Sequence, residues 1–367
     1  MTSHLHLINK SLNTNSFEVF GSLVFGPPIS HLMAASSAQI PASDLGPEHF
    51  VALEQAILNV LSTRLAFETF AQVVDGIPTR DAYFEYYLPT PRPEYSQNLM
   101  PSDKAREIVW EYLRRFHVGG VTFPVDFSRA YRELQRAQAY QDASLESSSF
   151  KLRMFELVAI ACHNIAAELY TNAGGGLRKP ASPPQPPPSS HPLIRPAPPN
   201  IAELFHDEYE EWRQYPNGVA DVVGYWAEYR LFGGVVLFDR GTTGQECKSA
   251  YIHPIKGRKI FQLSAQQIEG FTGFALSKHP PNHLVSYDTR FFPERSAKRV
   301  DPVDSMALLI YRDVYERKPP APGRRRCVLY PEDDPGRVER RGSKFILGTN
   351  LSNGFVVQPY AMVELRN

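Results

Sequence analysis

The sequence predicts a multi-domain protein, an all-α N-terminal domain followed by an α+β C-terminal domain with a mostly antiparallel sheet. Three observations carry that expectation. Apolar residues recur at three- and four-residue intervals through much of residues 46–172, the period of a helix with one buried face. A proline-rich run interrupts the chain at 173–200. Beyond it, in 201–367, short runs rich in Val, Phe and Tyr are separated by Gly, Pro and Asp clusters, the pattern of half-buried antiparallel strands.

Residues 1–45 have weak periodicity and read as a weakly structured N-terminal segment. From Gly46 to Val74, Phe50, Leu53, Ile57, Val60, Leu61, Leu65, Phe67 and Phe70 predict one long helix. Pro47 suits its first turn, and Gly76 with Pro78 ends it. A second helix is expected over Ser102–Phe116 with Ser102 as its cap, and a more polar third over Asp126–Tyr140. The fourth, Ser147–Tyr170, carries Phe150, Met154, Phe155, Leu157, Val158, Ala161, Ile165 and Leu169, a stripe wide enough for the central helix of a bundle. Residues 173–200 hold ten of the 32 prolines and read as an extended spacer rather than a ligand for a proline-binding domain.

After the spacer, "IAELFHDEYEEWRQY" predicts an amphipathic helix broken at Pro216-Asn217-Gly218. The runs "DVVGYWAEYRLF", "GGVVLFD", "LVSYDTRFF", "SMALLIYRDVYE", "RCVLY", "KFILG" and "FVVQPYAMVEL" predict strands. One helix interrupts them, "SAQQIEGFTGFALSK", with Ser264 as cap and Ile268, Phe271 and Ala275 on one face.

The 39 basic and 39 acidic residues cancel, which argues against whole-protein attraction to nucleic acid or to an anionic membrane. Cys162, Cys247 and Cys327 are scattered and odd in number, so the chain reads as intracellular and reduced, cytoplasmic or nuclear. The first residues lack the pattern of a secretory signal, and no apolar run approaches the ~20 residues needed to span a bilayer. No cofactor motif is present, so no cofactor is expected.

Several constellations bear on chemistry. "DRGTTG", Asp239 to Gly244, resembles the first phosphate-binding turn of sugar-kinase and actin-like ATPases. It lies far along the chain, without a following helix or a second phosphate turn, and reads instead as a polar corner between strands. His206 and Glu210 would share a helical face, yet lack the second histidine of a zincin pattern. Cys247, His253, His279, His283 and Cys327 are weak metal candidates, since no close cysteine pair anchors them. Asp221, Tyr225, Glu228 and Asp239 are weak catalytic candidates, as carboxylates and aromatics alternating along adjacent β runs. Arg324, Arg325, Arg326, Arg340 and Arg341 lie in Arg-rich loops between 317 and 344 that are diluted by acidic residues.

The segments "EEWRQYPNGVADVVGYWAEYRLFGGVVLFDRG" and "IYRDVYERKPP" resemble a group of proteins from filamentous fungi. The resemblance covers roughly the second domain and implies a fungal, intracellular origin; no activity, cofactor or catalytic residue comes with it. Clustered Tyr and Trp in "EYEEWRQY" and "GYWAEYRLF" favour a protein-interaction or scaffolding role with a protein partner. The alternatives are an enzyme with a carboxylate and aromatic cleft in the second domain, and a nucleic-acid contact through the Arg-rich loops.

Overall fold

The computed structural model describes residues 45–86, 93–116, 136–178, 202–255, 259–278 and 286–317. The run expected to form one helix makes two, α1 (Pro47–Leu61) and α2 (Arg64–Asp75). Thr63 breaks it. Its backbone is extended, and its hydroxyl accepts from the Ala66 amide at 3.1 Å while donating to the Val60 carbonyl at 2.8 Å. One side chain thus closes α1 and caps α2. Short helices α3 (Arg80–Tyr86) and α4 (Pro93–Ser96) follow, then α5 (Asp103–Arg115), capped by Ser102 as its sequence predicts. Residues 136–141 are helical, and the rest of the third expected helix lies outside the described residues. The long helix α6 (Ser148–Asn172) is capped by Ser147 and is buried over most of its length.

Two expectations after the spacer are corrected. "IAELFHDEYEEWRQY" is not a helix: the described part is irregular apart from one 3-10 turn at Trp212–Gln214. Leu204, His206 and Tyr209 are all fully buried, at spacings of two and three that do not fit one helical stripe. "DVVGYWAEYRLF" is not a strand but helix α7 (Val219–Phe232), framed by Gly218 and Gly233, both at positive φ. Every residue from Ala220 to Phe232 is buried, so no polar face marks its period.

The sheet comprises β1 (Val235–Asp239), β2 (Ala250–His253), β3 (Ile260–Gln262), β4 (Arg299–Val300) and β5 (Ile310–Tyr311), in the order β4-β3-β2-β1-β5. All its pairings are antiparallel, with Leu237 opposite Tyr251 and Tyr251 opposite Gln262. Helix α8 (Ala265–Ala275) follows β3, capped by Ser264 as expected and closed into a capping box by Gln267, and α9 (Pro302–Ser305) precedes β5. Two expected strands shrink: residues 286–292 of "LVSYDTRFF" form none, and "SMALLIYRDVYE" contributes only β5. "RCVLY", "KFILG" and "FVVQPYAMVEL" lie outside the described residues.

The stretches on either side of the spacer contribute to one hydrophobic cluster. Phe155 of α6 sits at its centre, with ring centroids 5.7 Å from Phe232 of α7, 6.2 Å from Phe238 of β1, 4.7 Å from Phe271 of α8 and 5.4 Å from Phe291. Helices α6 and α7 make the most extensive contact between any two described elements. Among the described residues, no helix is long and apolar enough to cross a membrane.

Asn59 of α1 joins the two stretches by a polar route. Its side-chain amide donates to the carbonyls of Phe274, Ala275 and Ser277 at 3.1, 2.9 and 2.7 Å, satisfying the C-terminal end of α8. Asn59→Ala is expected to cost about 2–3 kcal/mol by stranding these buried acceptors. Urea unfolding should show one transition whose midpoint falls as a whole. Separate transitions, only one of them shifted, would show that the two stretches unfold independently.

Candidate functional site: a buried charge cluster and an adjoining cleft

Helix α7 places Asp221, Tyr225 and Glu228 at i, i+4 and i+7, hence on one face. That face meets His163 of α6. Gly224 permits the approach, since a Cβ there would lie 2.7 Å from the His163 ring. His163 Nδ1 is 2.8 Å from the Glu228 carboxylate and Nε2 is 3.1 Å from Asp221. Both nitrogens face carboxylates, the arrangement of an imidazolium that donates twice. Glu228 also receives the Arg312 guanidinium and, at 3.2 Å, the Val236 amide of β1. Asp221 accepts from the Asn217 amide at 2.9 Å and its side chain at 2.8 Å. The Arg312 guanidinium lies over the Tyr225 ring, 5.1 Å from its centroid. His163, Asp221, Tyr225, Glu228 and Arg312 are each at most 2% exposed.

Burial by itself would push the His163 imidazole down; the hydrogen bonds to Asp221 and Glu228 overcome this and raise it. Burial would push Glu228 up, but Arg312 and His163 hold its carboxyl below the usual range. Asp221 is lowered against its burial by His163 and Asn217. Each charge has its counter-charge within the cluster, as charges buried in protein require.

A second cluster centres on Glu156 of α6. Its carboxylate lies 3.1 Å from Arg136, 2.7 Å from Arg153 and 2.7 Å from Arg240. Burial would raise its pKa, yet the three guanidiniums hold it at about 2. Arg240 also donates to the carbonyls of Tyr311 and Arg312 at 3.0 and 2.8 Å, and Arg136 reaches Asp313 at 2.9 Å. Asp313 is 3.4 Å from Arg312, so the two clusters are continuous. Arg136, Arg240, Arg312 and Asp313 line a cleft of about 270 Å³ with Thr243 and Val314.

The remaining sequence candidates fall elsewhere. Asp239 ends β1, where its carboxylate accepts the Gly241 amide at 2.9 Å and starts the loop to β2. "DRGTTG" is thus a corner between antiparallel strands, with Gly241 and Gly244 at positive φ. His253 ends β2 and bonds through Nδ1 to the Tyr209 hydroxyl at 3.0 Å. Burial, Arg317 and His206 push its imidazole well down. Cys247 sits near Glu156 and its arginines instead, its thiol pushed up by burial to about 12. Among the described residues, no group of three or more His, Cys, Asp or Glu side chains is arranged so that it could hold a metal ion. His206 donates through Nε2 to the His253 carbonyl at 3.1 Å and accepts the Glu208 amide at Nδ1, so it is held as a neutral core imidazole. Glu210 does not share a helical face with it. Burial and the neighbouring Asp207, Glu208 and Glu211 raise its carboxyl to about 7. His279, His283, Cys327, Arg324, Arg325, Arg326, Arg340 and Arg341 lie outside the described residues.

No protein-family model, curated protein or solved structure matches this chain. Sequence reasoning selected Asp221, Tyr225 and Glu228 for alternation along strands; the structure brings them together as a helical face. It missed His163, Arg312, Glu156 and Arg240. The i, i+4, i+7 spacing of Asp221, Tyr225 and Glu228 within fourteen residues framed by glycines was the available signal. Chemically, the His163 cluster holds paired charges with no exposed reactive group, while the cleft is lined by three arginines and one aspartate.

Gly224→Ala is expected to destabilise the protein by about 2 kcal/mol or more, because the added methyl displaces the His163 ring from its carboxylates. A lowered thermal midpoint with unchanged helical circular dichroism would register it. His163→Asn should cost about 3 kcal/mol by leaving buried carboxylates short of a partner. The raised imidazole binds its proton more tightly folded than unfolded, so its stabilisation is complete below about pH 6.5 and lost as pH rises through the folded value. The stability gap between wild type and variant should therefore be widest on the acidic side and narrow with increasing pH, as measured by urea titrations across that range.

Proposed function

We propose that the chain acts by binding a protein partner, as an interaction or scaffolding protein. The observation that supports this reading is the placement of apolar side chains around α3–α5. Phe84, Leu99, Met100 and Trp110 are 44%, 58%, 62% and 53% exposed, although most other large aromatics among the described residues are buried. Trp110 stands on the largely polar helix α5, edge-on to Phe67 at 6.3 Å. A rigid aromatic backed by a buried neighbour is the kind of anchor that carries binding energy at protein interfaces. The catalytic candidates Asp221, Tyr225 and Glu228 support the same reading from the other side, being buried and engaged with His163, Asn217 and Arg312. An intracellular setting in a fungal cell fits the resemblance, and Cys162 and Cys247 are free thiols, as a reducing compartment favours.

The test is Trp110→Glu, alone and with Met100→Glu, in affinity capture from fungal cell extract. Surface changes of this kind alter stability by about 0.5 kcal/mol or less, so the melting temperature should stay put. Proteins captured specifically by wild type and lost from both variants would support the reading. Identical capture by all three would refute the role of this surface.

A further inference from the structure

We propose that the cleft between residues 136–141, the β1–β2 loop and the segment after β5 binds a small oxyanion, a phosphate or a carboxylate group. Its lining residues include three arginines, Arg136, Arg240 and Arg312, against one acidic residue, Asp313. Each of these arginines is 2–7% exposed, so their charges act through protein rather than bulk water and are weakly screened.

The guanidiniums are held in place without a ligand. Arg240 is fixed by Glu156 and by the carbonyls of Tyr311 and Arg312. Arg136 is fixed by Glu156, Asp313 and the Arg312 carbonyl, and Arg312 by Glu228 and Asp313. Such preorganisation lowers the ordering cost of binding.

The loop wall adds a second, independent observation. The turn from Asp239 to Glu246 already receives an oxyanion supplied by the chain itself. The Glu246 carboxylate lies 3.5 Å from the Thr242 hydroxyl, 3.3 Å from the Thr243 hydroxyl and 3.4 Å from the Thr243 amide. It also occupies the space that a Cβ at Gly241 would need. The donors of this turn therefore suit carboxylate or phosphate oxygens, which is the property its Gly-Thr-Thr composition confers. Thr243 belongs both to that turn and to the cleft wall. The cavity, about 270 Å³, falls just below the span of about 300–1,000 Å³ usual for drug-sized ligands, so the occupant is a small anion rather than a nucleotide.

Val314 supplies a probe that leaves the buried network alone, because it lines the cleft and is 49% exposed. The experiment is isothermal titration of the full chain with inorganic phosphate and, in a second arm, succinate, at constant ionic strength. Saturable one-to-one binding of either, with Kd of about 1 mM or tighter, is expected. Val314→Asp should weaken it about five- to tenfold and Val314→Lys should tighten it by a similar factor, with melting temperatures unchanged. Ala139→Asp, also on the cleft wall, should repeat the weakening if either Val314 variant folds poorly. Which arm binds distinguishes a phosphate from a carboxylate site. Absence of saturable binding in both arms, or affinities indifferent to the sign of charge at 314 and 139, would overturn the proposal.

Discussion

Four segments of the chain meet at one carboxylate. Glu228 of α7 takes hydrogen bonds from His163 on α6, from β1 through the Val236 amide, and from Arg312 just past β5. A fully buried carboxylate is tolerable only while such partners are present, and removing one leaves a charge that water cannot reach. The position of α7 against α6, and of the sheet edge against both, is therefore coupled to the completeness of this cluster. The Glu156 cluster extends the same logic outward, tying residues 136–141 and the β1–β2 loop to α6.

The apolar and polar constraints coincide on α6. Phe155 contacts rings from α7, β1 and α8, while Glu156, next in sequence, gathers three arginines. Adjacent helical residues point about 100° apart, so one helix serves an aromatic core on one side and an ionic cluster on the other. Arg136, Arg240 and Arg312 belong both to those ionic clusters and to the lining of the cleft.

Legibility from sequence followed the local signals. Ser102 and Ser264 were readable as caps because their chemistry acts within three residues, and the structure shows each hydroxyl accepting from the N3 amide. The strand β1 and the polar corner after it were readable from an apolar run ending in Asp and glycines. Helix α7 was not, because burial on every face removes the periodicity by which a helix is recognised and leaves β-branched and aromatic residues that favour the strand reading. The break at Thr63 was also hidden, since the apolar spacing continues through it. The site was half legible. Asp221, Tyr225 and Glu228 could be selected from one stretch, but His163 and Arg312 join them across separations of 65 and 84 residues from Glu228, which no local pattern encodes.

Those separations bear on how the chain is made. A ribosome delivers α6 and its histidine, then α7 with both acidic groups, and only afterwards residue 312 with its guanidinium. Until that residue emerges, a nascent chain that buried Glu228 would do so with one cation too few. Completing this cluster thus waits on β5 and the residue that follows it, Arg312. Non-local closure of this kind is slow and leaves apolar surface open in the interval. For this molecule the interval is set by the distance along the chain from an acid to its base.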